Sequence, residues 1–197
     1  MKVLGLGWAK TGTTSLAQAV RRLGYKHKSQ DMDLVDRYGE GDWNAIKAIA
    51  QDFDSFEDWP WLLLYRQFDE WFPGTKFVLT VRDEEAWLPS LRKQWARVPH
   101  DKVSRRRREV LYGAPVPDIS DQQLLGIYRR HNEGVREYFK DRPQDLAVFD
   151  WTKGHGWHDL CAFLDEPLPI EEFPRANSAP KSMIQNLKQM RYSLLRS

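Results

Sequence analysis

The chain has 197 residues, of which 41% are hydrophobic and 29% are charged, and its formal net charge is +2. This composition is typical of a soluble globular protein and predicts one compact α/β domain with a sizeable core. The small net charge gives no indication of a nucleic-acid partner. The single cysteine, Cys161, excludes an intramolecular disulfide and suits a reducing compartment.

No apolar run approaches the roughly 20 residues that a membrane span requires. The first residues lead directly into a strand, which leaves no room for a signal peptide. We therefore expect a cytoplasmic protein without a membrane span.

The first informative stretch is residues 3–16, which read VLGLGWAKTGTTSL. Residues 3–6 predict a buried strand, residues 7–12 a turn of small residues, and Thr13 the start of a helix. A strand, a glycine-rich loop and a helix in that order predict a phosphate-binding cradle, because the free backbone N–H groups and the helix dipole favour an anion there.

This loop differs from the P-loop of nucleotide kinases, G-x-x-x-x-G-K-[ST], at one important position. Gly7 and Gly12 have the required spacing and Thr14 matches the hydroxyl position, but Thr13 replaces the lysine. This change argues against ATP chemistry. Lys10 could instead face a leaving-group oxygen on a shorter phosphate chain. The alternative is an ordinary turn in which Thr13 or Thr14 caps the helix.

The next segments predict a short strand at 25–27, a helix and loop over 31–43, a helix at 44–50 and a strand at 53–56. Pro60 is expected in the first turn of a helix that runs to about Trp71. Residues 76–81 predict an apolar strand that ends at Arg82. Because ligands bind beyond the carboxyl ends of parallel strands, the glycine-rich loop, Glu57 with Asp58, and Arg82 should meet in one site.

The second half of the chain begins with a basic segment that includes Arg105, Arg106, Arg107 and Arg108. These arginines predict a solvated helix or loop, cations around a bound phosphate, or a surface that attracts an anionic acceptor. Ser120 and Gln123 predict a capping box that opens a helix to about Lys140. Residues 146–149 predict a further strand. His155, His158 and Cys161 suit capping or packing better than zinc.

The end of the chain is expected to be separate from the α/β domain, which covers residues 1–174. Residues 175–180 resemble a linker, and residues 181–197 predict a basic amphipathic helix. That helix would dock on the domain or on a second copy in a homodimer.

The sequence GWAKTGTTSL resembles the 5′-phosphosulfate loop of sulfotransferases, which use 3′-phosphoadenosine 5′-phosphosulfate (PAPS). In FVLTVRDEEAWLPSL, Arg82 and Ser90 have the separation of the arginine and serine that bind the 3′-phosphate in that family. The resemblance covers roughly residues 1–174. It implies a three-layer sandwich with a central parallel sheet of P-loop nucleotide-kinase-like topology. It also implies a set of PAPS-binding residues: Trp8, Ala9, Lys10, Thr11, Gly12, Thr13, Thr14, Ser15, Arg82, Ser90 and Lys153.

The resemblance also implies how the reaction would run, without a metal ion. Lys10 would stabilise the charge that grows on the leaving 5′-phosphate oxygen. Asp58 is the first choice for the base that takes the acceptor's proton, and Glu57 is the second; the alternative is that either carboxylate caps a helix at Pro60. The acceptor would be a small molecule or a carbohydrate. An ATP-dependent kinase and a non-catalytic PAPS-binding protein are the alternative functions.

Overall fold

The computed structural model describes residues 1–176, which form a five-stranded parallel sheet with helices on both faces. The strand order is β2-β3-β1-β4-β5, and each neighbouring pair is parallel. The strands are β1 (Val3–Gly5), β2 (His27–Lys28), β3 (Ser55–Phe56), β4 (Lys76–Thr80) and β5 (Leu146–Phe149).

Eight α-helices connect and cover these strands within the described residues. They are α1 (Thr13–Arg22), α2 (Asp33–Glu40), α3 (Trp43–Gln51), α4 (Tyr65–Trp71), α5 (Glu84–Trp95), α6 (Lys102–Tyr112), α7 (Asp121–Tyr138) and α8 (Trp157–Leu164). Two short 3₁₀ helices, Trp61–Leu63 and Trp151–Lys153, complete the set. None of the helices in residues 1–176 has the length and apolarity that a membrane crossing requires.

The three layers follow from the alternation of side chains along the buried strands. In β4, Phe77 and Leu79 join a core with residues of α3, α4 and α7, such as Val135. Val78 faces the other way and joins a core with α1 and α8, where it meets Leu16 and Leu160. Successive strand residues point to opposite faces of a sheet, so both faces need a helical cover. The predicted three-layer α/β fold is confirmed.

A third core lies around α2, α5 and α6. Its rings contact one another edge-on or tilted: Trp8 lies 4.8 Å from Trp59 and 4.9 Å from Tyr112, and Trp95 lies 5.4 Å from Tyr112. Trp87 belongs to the same core. This aromatic cluster supports the loop that follows β1, because Trp8 is part of that loop.

The predicted helix that starts at Pro60 is wrong. The chain forms the 3₁₀ helix Trp61–Leu63 first, and α4 starts only at Tyr65. Leu64, with φ −96° and ψ 17°, separates the two helices because it departs from α-helical geometry. The peptide bond between Trp59 and Pro60 is cis. The predicted C-terminal helix at 181–197 lies outside the described residues.

Candidate functional site

The candidate site is a cavity of about 420 Å³ beyond the carboxyl ends of β1 and β4. The chain leaves β1 toward one side of the sheet and leaves β4 toward the other, so a crevice opens between them. We term it the first cavity. It is lined by Ala9, Lys10, Thr11, Gly12, Thr13, Thr14, Ser15, Asp58, Arg82, Ser90, Gln94, Trp151, Thr152, Arg175 and Ala176.

The loop after β1 is held by β4 and α5. The Thr11 hydroxyl donates to the carbonyl of Trp8 at 2.7 Å, and its oxygen lies 2.7 Å from that of Thr80 at the end of β4. The indole N–H of Trp87 donates to the carbonyl of Ala9 at 2.9 Å. These buried bonds give the loop one conformation, so its backbone N–H groups are already positioned for an anion.

Two glycines are required by close approach. A Cβ on Gly7 would lie 1.8 Å from the Thr80 hydroxyl oxygen, and a Cβ on Gly12 would lie 2.3 Å from Cδ1 of Trp151. Gly12 also has φ 102°, which favours glycine. Gly12 itself is the N-cap of α1, without a side-chain cap bond, so the alternative that Thr13 or Thr14 caps the helix is wrong.

Arg82 turns into the first cavity directly after β4. Its Nη1 donates to the carbonyl of Lys10 at 3.4 Å, which places the guanidinium beside the loop. Within residues 1–176, Arg82 makes no ion pair with Asp83 or Glu85, and Asp83 instead caps α5. Ser90 lies on α5 and lines the same cavity. The structure therefore brings together the arginine, the serine and the loop that the sequence singled out.

Asp58 lies at the rim of the cavity in a left-handed backbone conformation, with φ 66°. Its Oδ1 accepts a hydrogen bond from the N–H of Trp59 at 2.9 Å, and it caps no helix. Burial, together with the negative charge of Glu57, raises the pKa of Asp58 to about 7. A carboxyl with a pKa near neutrality suits proton transfer at physiological pH.

Glu57 is separated from the cavity. Its side chain is 3% exposed, accepts a hydrogen bond from the Ser29 hydroxyl and lies 3.7 Å from Nε2 of His27. Residue 57 directly follows β3, and its side chain lines neither the first cavity nor any other part of the wall that Asp58 shares. Glu57, the second choice for the base, therefore does not line the first cavity, and its negative charge contributes to the raised pKa of Asp58.

Two further predicted contacts are also misplaced. Trp8 is 2% exposed, packs against Trp59 and does not line the first cavity. Lys153 is exposed, with its Nζ 3.8 Å from Asp150, and does not line the cavity. The 3₁₀ helix after β5 presents Trp151 and Thr152 instead, because its tight turn directs Lys153 outward.

The sequence reasoning missed residues 175 and 176, which it assigned to a linker. Arg175 donates to the carbonyl of Trp151, and the N–H of Ala176 donates to the Ser15 hydroxyl at 3.0 Å. The chain thus returns to the start of α1 and adds a second arginine to the cavity wall. The sequence feature that could have indicated this cavity contact is the basic residue, Arg175, directly after Pro174.

A second cavity, of about 280 Å³, lies on the other side of Asp58. Ala9, Asp58 and Gln94 line both cavities. The second cavity is otherwise built largely from the aromatic cluster and from α6, which carries Arg107 and Arg108. These arginines therefore lie away from the lining of the first cavity, where one of the sequence interpretations placed them.

The residues considered for zinc are used in other ways. Cys161 is buried in the core beside α1, and Nδ1 of His155 contacts the backbone of Asp150 at 3.0 Å. Within residues 1–176, no three His, Cys, Asp or Glu side chains are grouped as metal ligands would be.

Comparison with known proteins agrees with this geometry. A family model described as a sulfotransferase domain matches residues 2–182. The protein named "Ava biosynthesis cluster protein M" of Aspergillus versicolor is 25% identical over 211 residues, which cover 88% of this chain and 80% of that protein. The family match spans most of the chain and includes every residue of both cavities. The chain therefore belongs to the sulfotransferase-domain family.

Proposed function

We propose that the protein transfers a sulfuryl group from PAPS to a hydroxyl or amine group of a small molecule or carbohydrate. One observation carries this proposal: the first cavity brings the loop at residues 10–15 together with Arg82 and Ser90. The membership of the sulfotransferase-domain family supports the reaction type. The single cysteine is consistent with work in the cytoplasm.

The residues of the first cavity fit a nucleotide with two separate anionic groups. The loop and the N-terminus of α1 offer backbone N–H groups and a positive dipole end to the 5′-phosphate, with Lys10 beside them. Arg82 supplies a fork of donors and Ser90 a hydroxyl, which suits the 3′-phosphate. Trp151 approaches Gly12 so closely that a Cβ on Gly12 would not fit. The indole therefore forms one wall of the cavity beside the loop.

When bound, PAPS would supply the sulfuryl group: the bond from sulfur to the 5′-phosphate oxygen would break with its electron pair left on that oxygen, and the acceptor's oxygen or nitrogen would form the new bond to sulfur. Lys10 stabilises the negative charge on the 5′-phosphate oxygen. Loss of such a donor typically lowers the rate by roughly 10²–10³-fold. Asp58, in its ionised form, takes the acceptor's proton.

Two features favour sulfuryl transfer over phosphoryl transfer from ATP. Thr13 occupies the position of the lysine that contacts the terminal phosphates of ATP, and it is buried. The guanidinium of Arg82, which lies beside the loop, suits a phosphate on the ribose. The name of the Aspergillus versicolor relative, a biosynthesis cluster protein, favours a small-molecule acceptor.

Calorimetric titration with adenosine 3′,5′-bisphosphate, and separately with ATP and Mg²⁺, tests the donor. We expect the bisphosphate to bind more tightly than ATP, and Arg82→Gln to weaken its binding by roughly 10- to 100-fold, the range for a lost charged hydrogen bond. Arg97→Gln is the matched control, because Arg97 is exposed and lines neither cavity.

Tighter binding of ATP, or equal effects of the two arginine substitutions, would contradict the assignment and favour the kinase. If the wild-type protein binds the bisphosphate but sulfates no acceptor, and Asp58→Asn behaves in the same way, the protein would instead be a non-catalytic PAPS-binding protein.

A further inference from the structure

We propose that the second cavity is the acceptor site, and that it takes a small aromatic hydroxyl compound that carries an anionic group. This inference rests on the proposed function for the identity of the donor. The position, the walls and the charge of the cavity each support it.

The position of the second cavity suits an acceptor because it adjoins the first cavity at the base. Ala9, Asp58 and Gln94 line both cavities, so a molecule in either one reaches Asp58. A hydroxyl group that donates to the Asp58 carboxylate from the second cavity would face the loop that holds Lys10. The two reactants can therefore approach from opposite sides without sharing space.

The walls of the second cavity favour a flat aromatic molecule over a sugar. Trp59, Trp95 and Tyr112 line it, and the ring of Tyr112 lies 5.1 Å from Trp59 and 5.4 Å from Trp95. Leu91 and Leu111 add aliphatic surface. This apolar part of the wall would leave the sugar hydroxyls that face it without hydrogen bonds, whereas polar groups of an acceptor can reach Gln30, Gln94 and Ser104, which also line the cavity.

The volume indicates the size of the compound. An apolar cavity of about 150 Å³ holds one benzene ring. The second cavity, at about 280 Å³, is therefore large enough for one or two rings with a short substituent.

The positive charge at the wall of the second cavity comes from Arg108. Its neighbour Arg107 is neutralised by Asp36 at 2.7 Å and by Asp33 at 3.1 Å. Arg108 donates to the carbonyl of Pro99 at 2.7 Å and to Nδ1 of His100 at 3.2 Å, both uncharged partners in this arrangement.

No carboxylate side chain in residues 1–176 forms an ion pair with Arg108, and residues 177–197 contain no Asp or Glu. The half-buried guanidinium therefore has no ion-pair partner at the cavity wall among the described residues. An anionic group on the acceptor would supply the missing partner.

Asp58 and Arg108 act on the same wall residue. Burial, then the Asp58 carboxylate, raises the pKa of Tyr112, whereas Arg108 acts in the opposite direction. Asp58, Arg108 and Tyr112 all line the second cavity. A molecule that lies along the Tyr112 ring can place its hydroxyl group at Asp58 and its anionic group at Arg108.

Calorimetric titration with 3-(4-hydroxyphenyl)propanoate and with 4-ethylphenol, in the presence of adenosine 3′,5′-bisphosphate, tests this proposal on the full-length protein. The two phenols share the ring and the hydroxyl group and differ in charge. We expect the propanoate to bind more tightly. Arg108→Gln should weaken propanoate binding by roughly 10- to 100-fold and leave 4-ethylphenol binding unchanged. Arg106→Gln, an exposed neighbour in the same run, should change neither.

A second pair of variants tests whether the phenols bind inside the second cavity or on the protein surface. Val98 lines the second cavity and is absent from the lining of the first, so Val98→Trp should abolish phenol binding and retain bisphosphate binding. Val103→Trp, at an exposed valine on α6, is its control.

The outcomes distinguish the two proposals. If the bisphosphate binds and neither phenol does, or if the phenols bind equally well, the acceptor inference is overturned and the donor assignment stands. If the propanoate binds through Arg108 but the bisphosphate does not bind, the donor assignment fails and the acceptor site stands.

Discussion

Lys10 and Asp58 share an uncommon backbone conformation. They have φ values of 73° and 66°, and the third non-glycine residue with positive φ in the described part of the chain is Asp165. Asp165 is the C-cap of α8, where the left-handed conformation is common. Lys10 and Asp58 instead lie at the first cavity. Such strained positions persist where the surrounding structure holds them, and they concentrate at functional sites.

At the scale of single residues, Glu57→Gln should change the pH dependence of the reaction. The proposed base, Asp58, can take a proton only when it is ionised, so kcat/KM should rise as the pH passes through about 7. The substitution removes the negative charge of Glu57, which helps to raise the pKa of Asp58. We therefore expect the rising limb of the pH profile to move to lower pH. The measurement is kcat/KM as a function of pH for wild type and variant.

Asp58→Asn is the control for this pH effect, because asparagine tolerates the left-handed conformation. It should abolish the rising limb together with most of the activity.

The Asp58→Asn substitution should also change how the stability depends on pH. The folded-state pKa of Asp58 lies above its unfolded value of about 4, so ionised Asp58 lowers the free energy of unfolding as the pH rises from 4 to 7. The asparagine variant should thus gain stability over wild type as the pH rises. If the rising limb of the kcat/KM profile stays at the same pH in Glu57→Gln, the assignment of Asp58 as the base would be contradicted.

At the scale of elements, α7 fixes the end of β4. The hydroxyl oxygen of Tyr128 lies 3.0 Å from the N–H of Arg82 and 2.9 Å from its carbonyl. Tyr128 is buried and its ring stacks on Trp87 at 4.1 Å. Because Trp87 also holds the carbonyl of Ala9, one helix pair positions both the loop and Arg82.

Tyr128→Phe should therefore weaken binding of adenosine 3′,5′-bisphosphate through the position of Arg82. The loss of a hydrogen bond of about 0.5–1.5 kcal/mol corresponds to an effect of roughly 2- to 10-fold on the dissociation constant. Calorimetric titration measures it. Tyr138→Phe on the same helix is the matched control, since its hydroxyl donates to Asp69, which lines neither cavity. An equal effect of both substitutions would indicate a general loss of stability.

The elements that the sequence predicted best are those with strong local signals. Ser120 and Gln123 form the predicted capping box, so α7 begins where expected, and β5 has the predicted limits. Pro60 misled the prediction because it favours a helix start wherever its φ is suitable, whereas the turn at Asp58 decides where the chain can become helical. That turn depends on contacts that no local pattern records.

At the scale of the whole molecule, the first cavity draws its walls from α1, α5, the 3₁₀ helix after β5, the segment after α8, and the loops that follow β1, β3 and β4. A ligand there contacts all three layers, so its binding should oppose global unfolding. Adenosine 3′,5′-bisphosphate at 100 times its dissociation constant should raise the free energy of unfolding by about 2.7 kcal/mol.

Chemical denaturation with and without the ligand measures this gain. Adenosine 5′-phosphate at the same concentration is the control, because it lacks the 3′-phosphate assigned to Arg82 and Ser90. We expect it to raise the free energy of unfolding by less than the bisphosphate does. An equal gain from the two nucleotides would contradict the 3′-phosphate site.

The parts of the site that the sequence predicted are those that lie at strand ends. The loop at residues 9–15, Asp58 and Arg82 could be found because the rule for parallel sheets places strand ends at one edge, whereas Ser90, on α5, was found through its separation from Arg82 in the family resemblance. Three features depend on tertiary packing and cannot be predicted from spacing in the sequence. They are the orientation of the Glu57 side chain, the burial of Trp8 and the position of Arg175 at the cavity wall. The second cavity has the same origin, since its walls come from four separate segments.

The hydrogen bond from Ala176 to Ser15 joins residues 161 positions apart. During synthesis, β1 and its loop leave the ribosome long before β4, β5 and residues 175 and 176. The proposed donor site is therefore complete only after residues 175 and 176 have been made and have docked beside the start of α1. Variants that slow the docking of residues 175 and 176 would lower the yield of folded protein in the cell even where the purified protein binds normally.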